Sequence, residues 1–380
     1  MIYFDNAATT MNKPPQVAEA VARAITSFGG VGRGVHGASL DAGMTVFAAR
    51  QKLSNLLGGP GAKQVAFTSN ATEALNIAIN GLLRQGDHAV TTAASHNSVL
   101  RPLFKAEDAG IADVTVVPIA PDGSLDYDAF DKAFTPRTRL AAVTHASNLT
   151  GDVYDIERLV SITHAHGALL MVDAAQTAGL IPIDMQGQGI DIVCFTGHKS
   201  LYGPQGTGGL CVATGIEIDP LKVGGSGTHS YDREHPSFMP ERLEAGTLNA
   251  HGIAGLLAGL TYIEEMGVDE IRRRTHELAS QFEEGVRALP NITVYGGGGI
   301  DRTGIVALNV GDADSALIAD MLNTAFGICT RAGAHCAPLM HEALGTDQQG
   351  AVRFSFSHLN TADEVDEGIQ AIAALAKELA

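Results

Sequence analysis

A series of short, almost wholly apolar segments alternates with helix-like stretches between Val17 and Gly255. This alternation constrains the fold more than any other feature of the sequence. Stretches such as TEALNIAINGLL carry apolar residues at helical spacing. The apolar segments are QVAFTS, HAVTTA, VTVVPI, RLAAVTHAS, ALLMVDA, IDIVCFTG and GTGGLCVA. Strands that are apolar on both faces are typical of a mainly parallel sheet covered by helices, so the predicted fold class is α/β.

The sequence after Gly255 has a different rhythm. A long helical region, which we expect to be broken near Gly267, precedes the strand-like segments ITVYG, TGIVALNV and AVRFSFS. The run YGGGGID is expected to be a flexible loop between two of these elements. This pattern predicts a second, smaller α+β domain. We expect residues 15–255 to form the large domain, and residues 1–14 and 256–380 to form the small one.

The overall charge and composition narrow the choice of partners. The formal net charge of −17 argues against nucleic-acid binding, which usually needs a basic surface. The segment MIYFDNAATT does not resemble a targeting signal, and no apolar run is long enough to span a bilayer. Four cysteines are too few for a disulfide scaffold in a chain of 380 residues. We therefore expect a cytoplasmic protein that does not bind a membrane or nucleic acid.

Cys336 follows a histidine in the small-residue run RAGAHCAPL, and four roles are open to it. It could fill the core, form a disulfide, bind a metal or act as a reactive thiol. Sparse cysteines argue against a disulfide. A zinc site formed with His335 and His341 is disfavoured because no C-x-x-C pair is present, and we expect no metal site. The segment GRGVHG matches G-x-G-x-x-G, but a helix-like stretch precedes it where a dinucleotide fold needs a strand.

Two ionisable residues follow predicted strands, at the edge of the sheet where α/β proteins bind ligands. Lys199 follows DIVCF, and its amine could be a surface group or a buried Schiff-base nucleophile. Asp173 closes the apolar segment ALLMVD, where a carboxylate needs a partner. That partner could be a helix N-terminus, a basic side chain or a protonated ring nitrogen. A lysine with a pyridinium-binding aspartate is the minimum that pyridoxal phosphate requires.

The segment FTSNATEALNIAI adds a possible anion site. A strand is expected to end near Thr68, and a helix to open near Ala71 and Thr72. Free backbone N–H groups at a helix N-terminus suit a phosphate. Simple capping of the helix, with Glu73 in its first turn, explains the same residues.

Taken together, the motifs resemble the cysteine desulfurases, which are class V, fold-type I pyridoxal-phosphate enzymes. The resemblance is nearest to the branch with a short R-x-G-x-H-C loop, which includes selenocysteine lyase-like members. It implies a transferase fold with a seven-stranded, mostly parallel sheet in the large domain. It extends over nearly the whole chain, through collinear motifs that read YFDNAATT, RGVH, SNATEALN, VDAAQTAG, TGHKSLYGPQG, RLEAGTLN, RAGAHCAPL and VRFSFSHLNTADEVD.

The resemblance implies a binding site for pyridoxal 5'-phosphate. Lys199 would form the Schiff base, Asp173 would pair with the pyridinium nitrogen and Gln176 would hydrogen-bond the phenolic oxygen. His96 would stack on the ring and transfer protons, and Asn148 would lie beside the ring oxygen and the substrate. The residues implied for the phosphate are Ala71, Thr72, Thr196, His198 and, from the neighbouring subunit of a homodimer, Thr247.

The resemblance also implies a substrate and a reaction. Arg353 would bind the carboxylate of L-cysteine, and Cys336 would take the sulfur as a persulfide for delivery to an acceptor protein. A selenocysteine lyase, or another carbon–sulfur lyase or aminotransferase of the same fold, is the alternative. Ala334 stands where relatives often have histidine, which leaves the activation of Cys336 open, with adjacent His335 as one possible activator. The further residues implied near the substrate are Asn6, Ala8 and His36.

Overall fold

The computed structural model describes residues 1–32 and 34–379, so Arg33 of the RGVH motif lies outside the described residues. A short 3-10 turn covers Ala62–Gln64. No helix within the described ranges is long and apolar enough to cross a membrane. The helices are α1 (Pro15–Ser27), α2 (Gly37–Leu56), α3 (Ala71–Leu82), α4 (Asn97–Asp108), α5 (Tyr127–Lys132), α6 (Ile156–Ala165), α7 (Met185–Gln188), α8 (Ala250–Met266), α9 (Val268–Arg287), α10 (Ser315–Phe326), α11 (Pro338–Leu344) and α12 (Ala362–Glu378).

Up to β9, most strands are separated by helices; after β9, strands follow one another at shorter intervals along the chain. They are β1 (Ile2–Tyr3), β2 (Val65–Thr68), β3 (Asp87–Thr92), β4 (Ala112–Val117), β5 (Thr138–Thr144), β6 (Asp152–Val153), β7 (Leu169–Asp173), β8 (Ile192–Thr196), β9 (Gly208–Val212), β10 (Ile292–Tyr295), β11 (Asp301–Arg302), β12 (Ile305–Val310), β13 (Ile328–Cys329), β14 (Arg331–Gly333) and β15 (Ala351–Ser355).

The large sheet has seven strands in the order β2-β9-β8-β7-β5-β3-β4. The pairs β8–β7, β7–β5, β5–β3 and β3–β4 are parallel, and β9 runs antiparallel to both of its neighbours. Each apolar segment identified in the sequence contributes one strand. The predicted α/β class with a mostly parallel seven-stranded sheet is therefore confirmed.

The apolar character of these strands follows from burial on both faces of the sheet. Successive side chains of β5 alternate between two apolar cores. Ala141 and Val143 belong to one core, and Leu140 and Ala142 belong to the other. Because each core needs a cover of helices, neither face tolerates polar side chains, and polar groups are left for the strand ends.

The C-terminal region builds a second sheet of four antiparallel strands in the order β10-β12-β15-β14. The predicted break near Gly267 is confirmed, because α8 ends at Met266 and Gly267 adopts a φ of 82° before α9 begins. A cluster of buried aromatic rings packs this sheet against α9 and includes Phe4 from the N-terminus, with Phe282, Phe354 and Phe356. The N-terminal residues therefore belong structurally with the C-terminal sheet.

The glycine run 296–299 is not the free loop that the sequence suggests. The backbone N–H groups of Gly297 and Gly299 donate to Oδ1 of the buried Asp152, at 2.8 and 3.4 Å. Strand β11, which follows the run, pairs with β6. A Cβ added at Gly298 would lie 2.3 Å from the backbone nitrogen of Ser124, so close packing explains the absence of a side chain there.

Candidate active site

A cavity of about 220 Å³ lies where β5, β7 and β8 end. The last residues of these strands, Thr144, Asp173 and Thr196, are in its wall. Strands β14 and β15 of the smaller sheet add Arg331 and Arg353, so both sheets enclose the cavity. This is the edge where α/β sheets bind ligands. The predicted site residues that line the cavity are Ala8, Ala71, Thr72, His96, Asn148, Asp173, Gln176, Thr196, His198, Lys199 and Arg353.

Lys199 follows β8, and its half-buried side chain lines the cavity. Burial and the positive charge of Arg353 lower the pKa of this amine to about 8, against the opposing effect of Asp173. Roughly a tenth of the Lys199 amine is therefore unprotonated at pH 7, whereas an ordinary lysine, with a pKa near 10.5, is almost wholly protonated. The position of Lys199 in the cavity wall argues against the surface-loop interpretation. The amine is placed to act as a nucleophile or a base.

Asp173 ends β7 as a fully enclosed carboxyl group. Its Oδ1 accepts a hydrogen bond from the backbone N–H of Ala175 at 3.0 Å, and burial raises the pKa of the carboxyl. Within the described ranges it neither caps a helix nor forms a salt bridge. Because a buried carboxylate is costly without a cationic partner, Asp173 suits a ligand that brings a protonated ring nitrogen to the cavity.

The N-terminus of α3 gives the cavity an anion-binding end. Ala71 and Thr72 are its first residues and line the wall, and free N–H groups at such a terminus bind phosphate well. Thr196 Oγ1 and His198 Nδ1 are also buried, with no hydrogen-bond partner among the described residues. Buried polar atoms without partners are rare, so their number here indicates space for a polar ligand.

Two polar residues at this end of the cavity, Asn70 and Ser98, were not predicted. Asn70 caps α3 by accepting a hydrogen bond from the Glu73 N–H at 3.0 Å. Ser98, in the first turn of α4, lies 2.7 Å from Thr72 through the two hydroxyl oxygens. Asn70 lies inside a motif that carried the resemblance. Ser98 is two residues from the predicted His96 and hydrogen-bonds to it, but its contact with Thr72 depends on tertiary packing.

His96 is both the N-cap of α4 and part of the cavity wall. Its Nδ1 accepts a hydrogen bond from the backbone N–H of Ser98 at 3.0 Å. Burial, and next the charge of Lys199, lower the pKa of the ring to about 4. The ring is therefore neutral at pH 7, and because Nδ1 is an acceptor, its proton is on Nε2. The capping role and a role in the cavity are compatible.

Arg353 presents a buried guanidinium to the cavity. Nη1 donates to the backbone carbonyl of Asn148 at 2.8 Å, and Nη2 donates to Oδ1 of Asp5 at 2.9 Å. Arg331, which was not predicted, lies directly opposite Arg353 on the neighbouring strand and also lines the cavity. Two adjacent arginines make this wall strongly positive, which suits the carboxylate of a substrate.

Cys336 lies on a turn beside the cavity and is one of four free cysteines. Its carbonyl accepts a hydrogen bond from the backbone N–H of Asn97 at 2.8 Å. His335 and Cys336 have φ values of 50° and 57°, in the left-handed region that only a few per cent of non-glycine residues adopt. The thiol is half-buried, and the neighbouring His335 is in the cavity wall. Strained backbone of this kind occurs most often at functional sites.

The ring of His335 is turned into the protein. Its Nε2 donates to the backbone carbonyl of Arg331 at 3.1 Å, and the ring stacks on His341 with centroids 5.9 Å apart. Burial, and next the charge of Arg353, lower its pKa to about 3. His335 is therefore neutral at pH 7. Activation of Cys336 by His335 would therefore have to use the neutral ring, and that role stays a prediction.

Besides Cys336, three of the predicted site residues lie outside the wall of this cavity in their own chain. Asn6 donates to the carbonyl of Ser355 at 2.9 Å and lines a smaller cavity next to the first. His36 is exposed and occupies the N-cap position of α2 without a capping hydrogen bond from its side chain. Its Nε2 lies 3.2 Å from the Ser39 hydroxyl. Thr247 lines a separate cavity of about 140 Å³.

The site and the fold define the protein as an α/β enzyme of the class V aminotransferase type. Residues 2–367 match the family model described as "Aminotransferase class-V", and the chain belongs to this family. It is similar to a probable cysteine desulfurase of Methanothermobacter thermautotrophicus, with 34% identity over 96% of this chain and 92% of the relative. A cysteine desulfurase of Klebsiella pneumoniae is 33% identical, over 98% of this chain and 93% of the relative.

Solved structures give the same result. The apo structure of a cysteine desulfurase from Thermococcus onnurineus superposes with a TM-score of 0.92 at 33% identity, covering 99% of this chain and 95% of the other. The cysteine desulfurase CsdA from Escherichia coli, in an S-sulfonic acid form, superposes with a TM-score of 0.87 at 30% identity, covering 99% and 94%. The resemblance predicted from the sequence motifs is therefore confirmed.

Proposed function

We propose that this protein is a cysteine desulfurase that depends on pyridoxal 5'-phosphate. It converts L-cysteine to L-alanine and transfers the substrate sulfur to Cys336. The observation that carries the proposal is a single cavity that combines the amine of Lys199, a buried carboxylate, an anion-binding helix terminus and two arginines, of which Arg353 is buried. The turn with Cys336 lies beside that cavity. The named relatives support the same reaction.

The residues of the cavity fit pyridoxal phosphate. Thr196 and His198 have buried polar atoms without partners, next to the N-terminus of α3, and suit its phosphate. Asp173 would keep a proton on the ring nitrogen, and Lys199 would hold the cofactor covalently through Nζ. When bound, the cofactor supplies an electron-withdrawing ring that stabilises negative charge at the substrate Cα.

The side chains of this chain do the rest of the chemistry. Arg353 would bind the substrate carboxylate and so direct the Cα–H bond towards the amine of Lys199. Because its pKa is lowered, Lys199 Nζ can accept and return a proton near neutral pH. The neutral ring of His96 can donate a hydrogen bond from Nε2 or exchange that proton with the substrate.

Cys336 would complete the reaction as a thiolate. Its Sγ attacks the substrate sulfur, so an S–S bond forms while the bond between that sulfur and the substrate Cβ breaks. The electron pair of the broken bond stays with the three-carbon fragment, which takes up a proton and leaves as alanine. Overall, one thiol and one L-cysteine give one persulfide and one L-alanine.

A homodimer is part of the proposal. Thr247 and His36 do not line the cavity of their own chain, which supports a role for them in a second copy. Helix α2 also exposes Leu40, Met44 and Phe47 at helical spacing, as expected for a face that packs against another subunit. Sedimentation of the purified protein would test this point.

We also propose a cytoplasmic location and a protein that accepts the sulfur. Four free thiols suit a reducing compartment. The net charge of −17 favours an acceptor with a basic surface. A transfer rate that does not change with ionic strength would contradict electrostatic recognition of that acceptor.

The test is Cys336→Ala, assayed for alanine release from L-cysteine and from L-selenocysteine. Cys329→Ala is the matched control, because Cys329 is also half-buried but lies on β13. We expect Cys336→Ala to lose activity on L-cysteine and mass spectrometry to find added sulfur on Cys336 in the unsubstituted protein. Unchanged activity on L-cysteine would refute the persulfide step. Activity confined to L-selenocysteine in the unsubstituted protein would favour the selenocysteine lyase alternative.

A further inference from the structure

The turn that carries Cys336 is fixed by contacts from outside its own segment. The side-chain amide of Asn148 donates from Nδ2 to the carbonyl of His335 at 2.7 Å. The backbone N–H of Asn97 donates to the carbonyl of Cys336 at 2.8 Å. Both contacts hold the two successive residues that adopt the left-handed conformation. A conformation of this kind persists only where the surroundings enforce it.

Asn148 also belongs to the wall that binds the carboxylate in the proposed function. Its backbone carbonyl accepts the hydrogen bond from Arg353 Nη1 at 2.8 Å. One residue therefore contacts the guanidinium through its main chain and the cysteine turn through its side chain. The side-chain amide of Asn148 therefore donates a hydrogen bond to the turn through Nδ2. Its Oδ1 is buried and accepts no hydrogen bond from the described residues.

We propose that Asn148 is a positioning residue for Cys336. Its Nδ2 holds the strained turn in the conformation that presents the thiol to the substrate sulfur, at a distance fixed relative to Arg353. This inference rests on the proposed function and adds to it a role for Asn148 other than contact with the cofactor ring. In this role Asn148 affects sulfur transfer by holding the turn. A substitution of its side chain leaves the contact with Arg353 intact, because that contact uses the backbone carbonyl.

Two substitutions remove the donor in different ways. Asn148→Asp keeps the shape of the side chain but replaces the Nδ2 donor by an oxygen. Asn148→Ser shortens the side chain, so that it no longer reaches the His335 carbonyl, and adds no charge. Both leave the buried carbonyl of His335 without its partner. Loss of such a partner weakens the native arrangement by about tenfold or more. We therefore expect the maximal rate of persulfide formation on Cys336 to fall by about tenfold in both variants. The L-cysteine concentration at half-maximal rate should change less than about twofold in Asn148→Ser, whereas the added charge of Asn148→Asp also raises it.

Hydrogen exchange supplies a readout that does not depend on activity. In the turn, the N–H of Ala337 donates to the carbonyl of Ala334 at 2.9 Å, so its exchange reports opening of the turn. We expect exchange in the peptide covering residues 334–341 to be about tenfold faster in both Asn148 variants. Asn97→Asp and Asn97→Ser are matched controls, because Asn97 contacts the same turn through its backbone N–H, which these substitutions keep.

The outcomes separate the possible explanations. Slower persulfide formation with faster exchange, in the Asn148 variants and not in the Asn97 variants, supports the proposal. Unchanged exchange, faster exchange with an unchanged maximal rate, or equal effects in the Asn97 variants would each overturn it. If the unsubstituted protein forms no persulfide, the proposed function fails instead, and the exchange comparison still decides whether Asn148 fixes the turn.

Discussion

Replacing Lys199 by methionine is expected to stabilise the protein without its cofactor. Burial and Arg353 lower the pKa of this amine from 10.5 to about 8. At this amine the unfolded chain therefore binds a proton more tightly than the folded protein does. As a result, Lys199 lowers the free energy of unfolding at every pH below about 10.5. At pH 7 the loss is about 3 kcal/mol, and at pH 9.5 it falls to about 1 kcal/mol. Methionine has a similar shape and carries no charge, so Lys199→Met removes this penalty.

Thermal unfolding of the cofactor-free proteins measures the effect. For a chain of this size, about 3 kcal/mol corresponds to an increase in Tm of roughly 4 °C at pH 7, and the increase should shrink towards pH 9.5. Lys63→Met is the control, because Lys63 is exposed and its replacement should change stability by less than about 0.5 kcal/mol. An equal Tm for Lys199→Met and the unsubstituted protein at pH 7, or a gain that does not depend on pH, would refute the reasoning.

Two further predictions concern other buried charges. Arg50 and Glu244 form a two-pronged buried ion pair with N–O distances of 2.7 Å, and Arg50→Met should destabilise the protein by about 3–5 kcal/mol in urea unfolding, because it strands the carboxylate. Burial lowers the pKa of His145 to about 4. Between pH 6.5 and pH 4 the unfolded chain therefore binds a proton at this ring and the folded protein does not. The free energy of unfolding falls by about 2 kcal/mol between pH 7 and pH 5 as a result. His145→Gln should remove that part of the pH dependence, and an unchanged slope of Tm against pH would contradict it.

The sequence predicts the large sheet well because its strands are buried on both faces. No polar residue interrupts a segment such as IVCF, so the segment has few alternatives to a central strand. The same reasoning locates Asp173, because a carboxylate at the end of a buried strand is conspicuous. Lys199 is found less directly: only burial separates it from an ordinary loop lysine, and burial is a property of the tertiary structure.

Residues that reach the cavity through strand register could not be predicted in the same way. Arg331 faces Arg353 because β14 and β15 pair with those residues opposite each other. Asp5 contacts Arg353 although the two residues are far apart in the chain. A local pattern contains no information about either contact. The orientation of His335 is a similar case. Its neutral ring is oriented by the hydrogen bond to the Arg331 carbonyl and by stacking on His341, and its position beside Cys336 in the sequence does not reveal either contact.

The N-terminal residues explain how a site shared between two sheets keeps one geometry. Asp5 contacts Arg353 of the smaller sheet, and the N–H of Ala7 donates to the Ser355 hydroxyl on the same strand at 2.9 Å. A few residues later, the hydroxyl of Thr10 donates to the carbonyl of Lys199 at 3.1 Å. One short segment therefore contacts Arg353 and its strand and also the turn that carries Lys199. Because this segment contacts residues on both sides of the cavity, it helps to set the distance between the Arg353 guanidinium and the Lys199 amine.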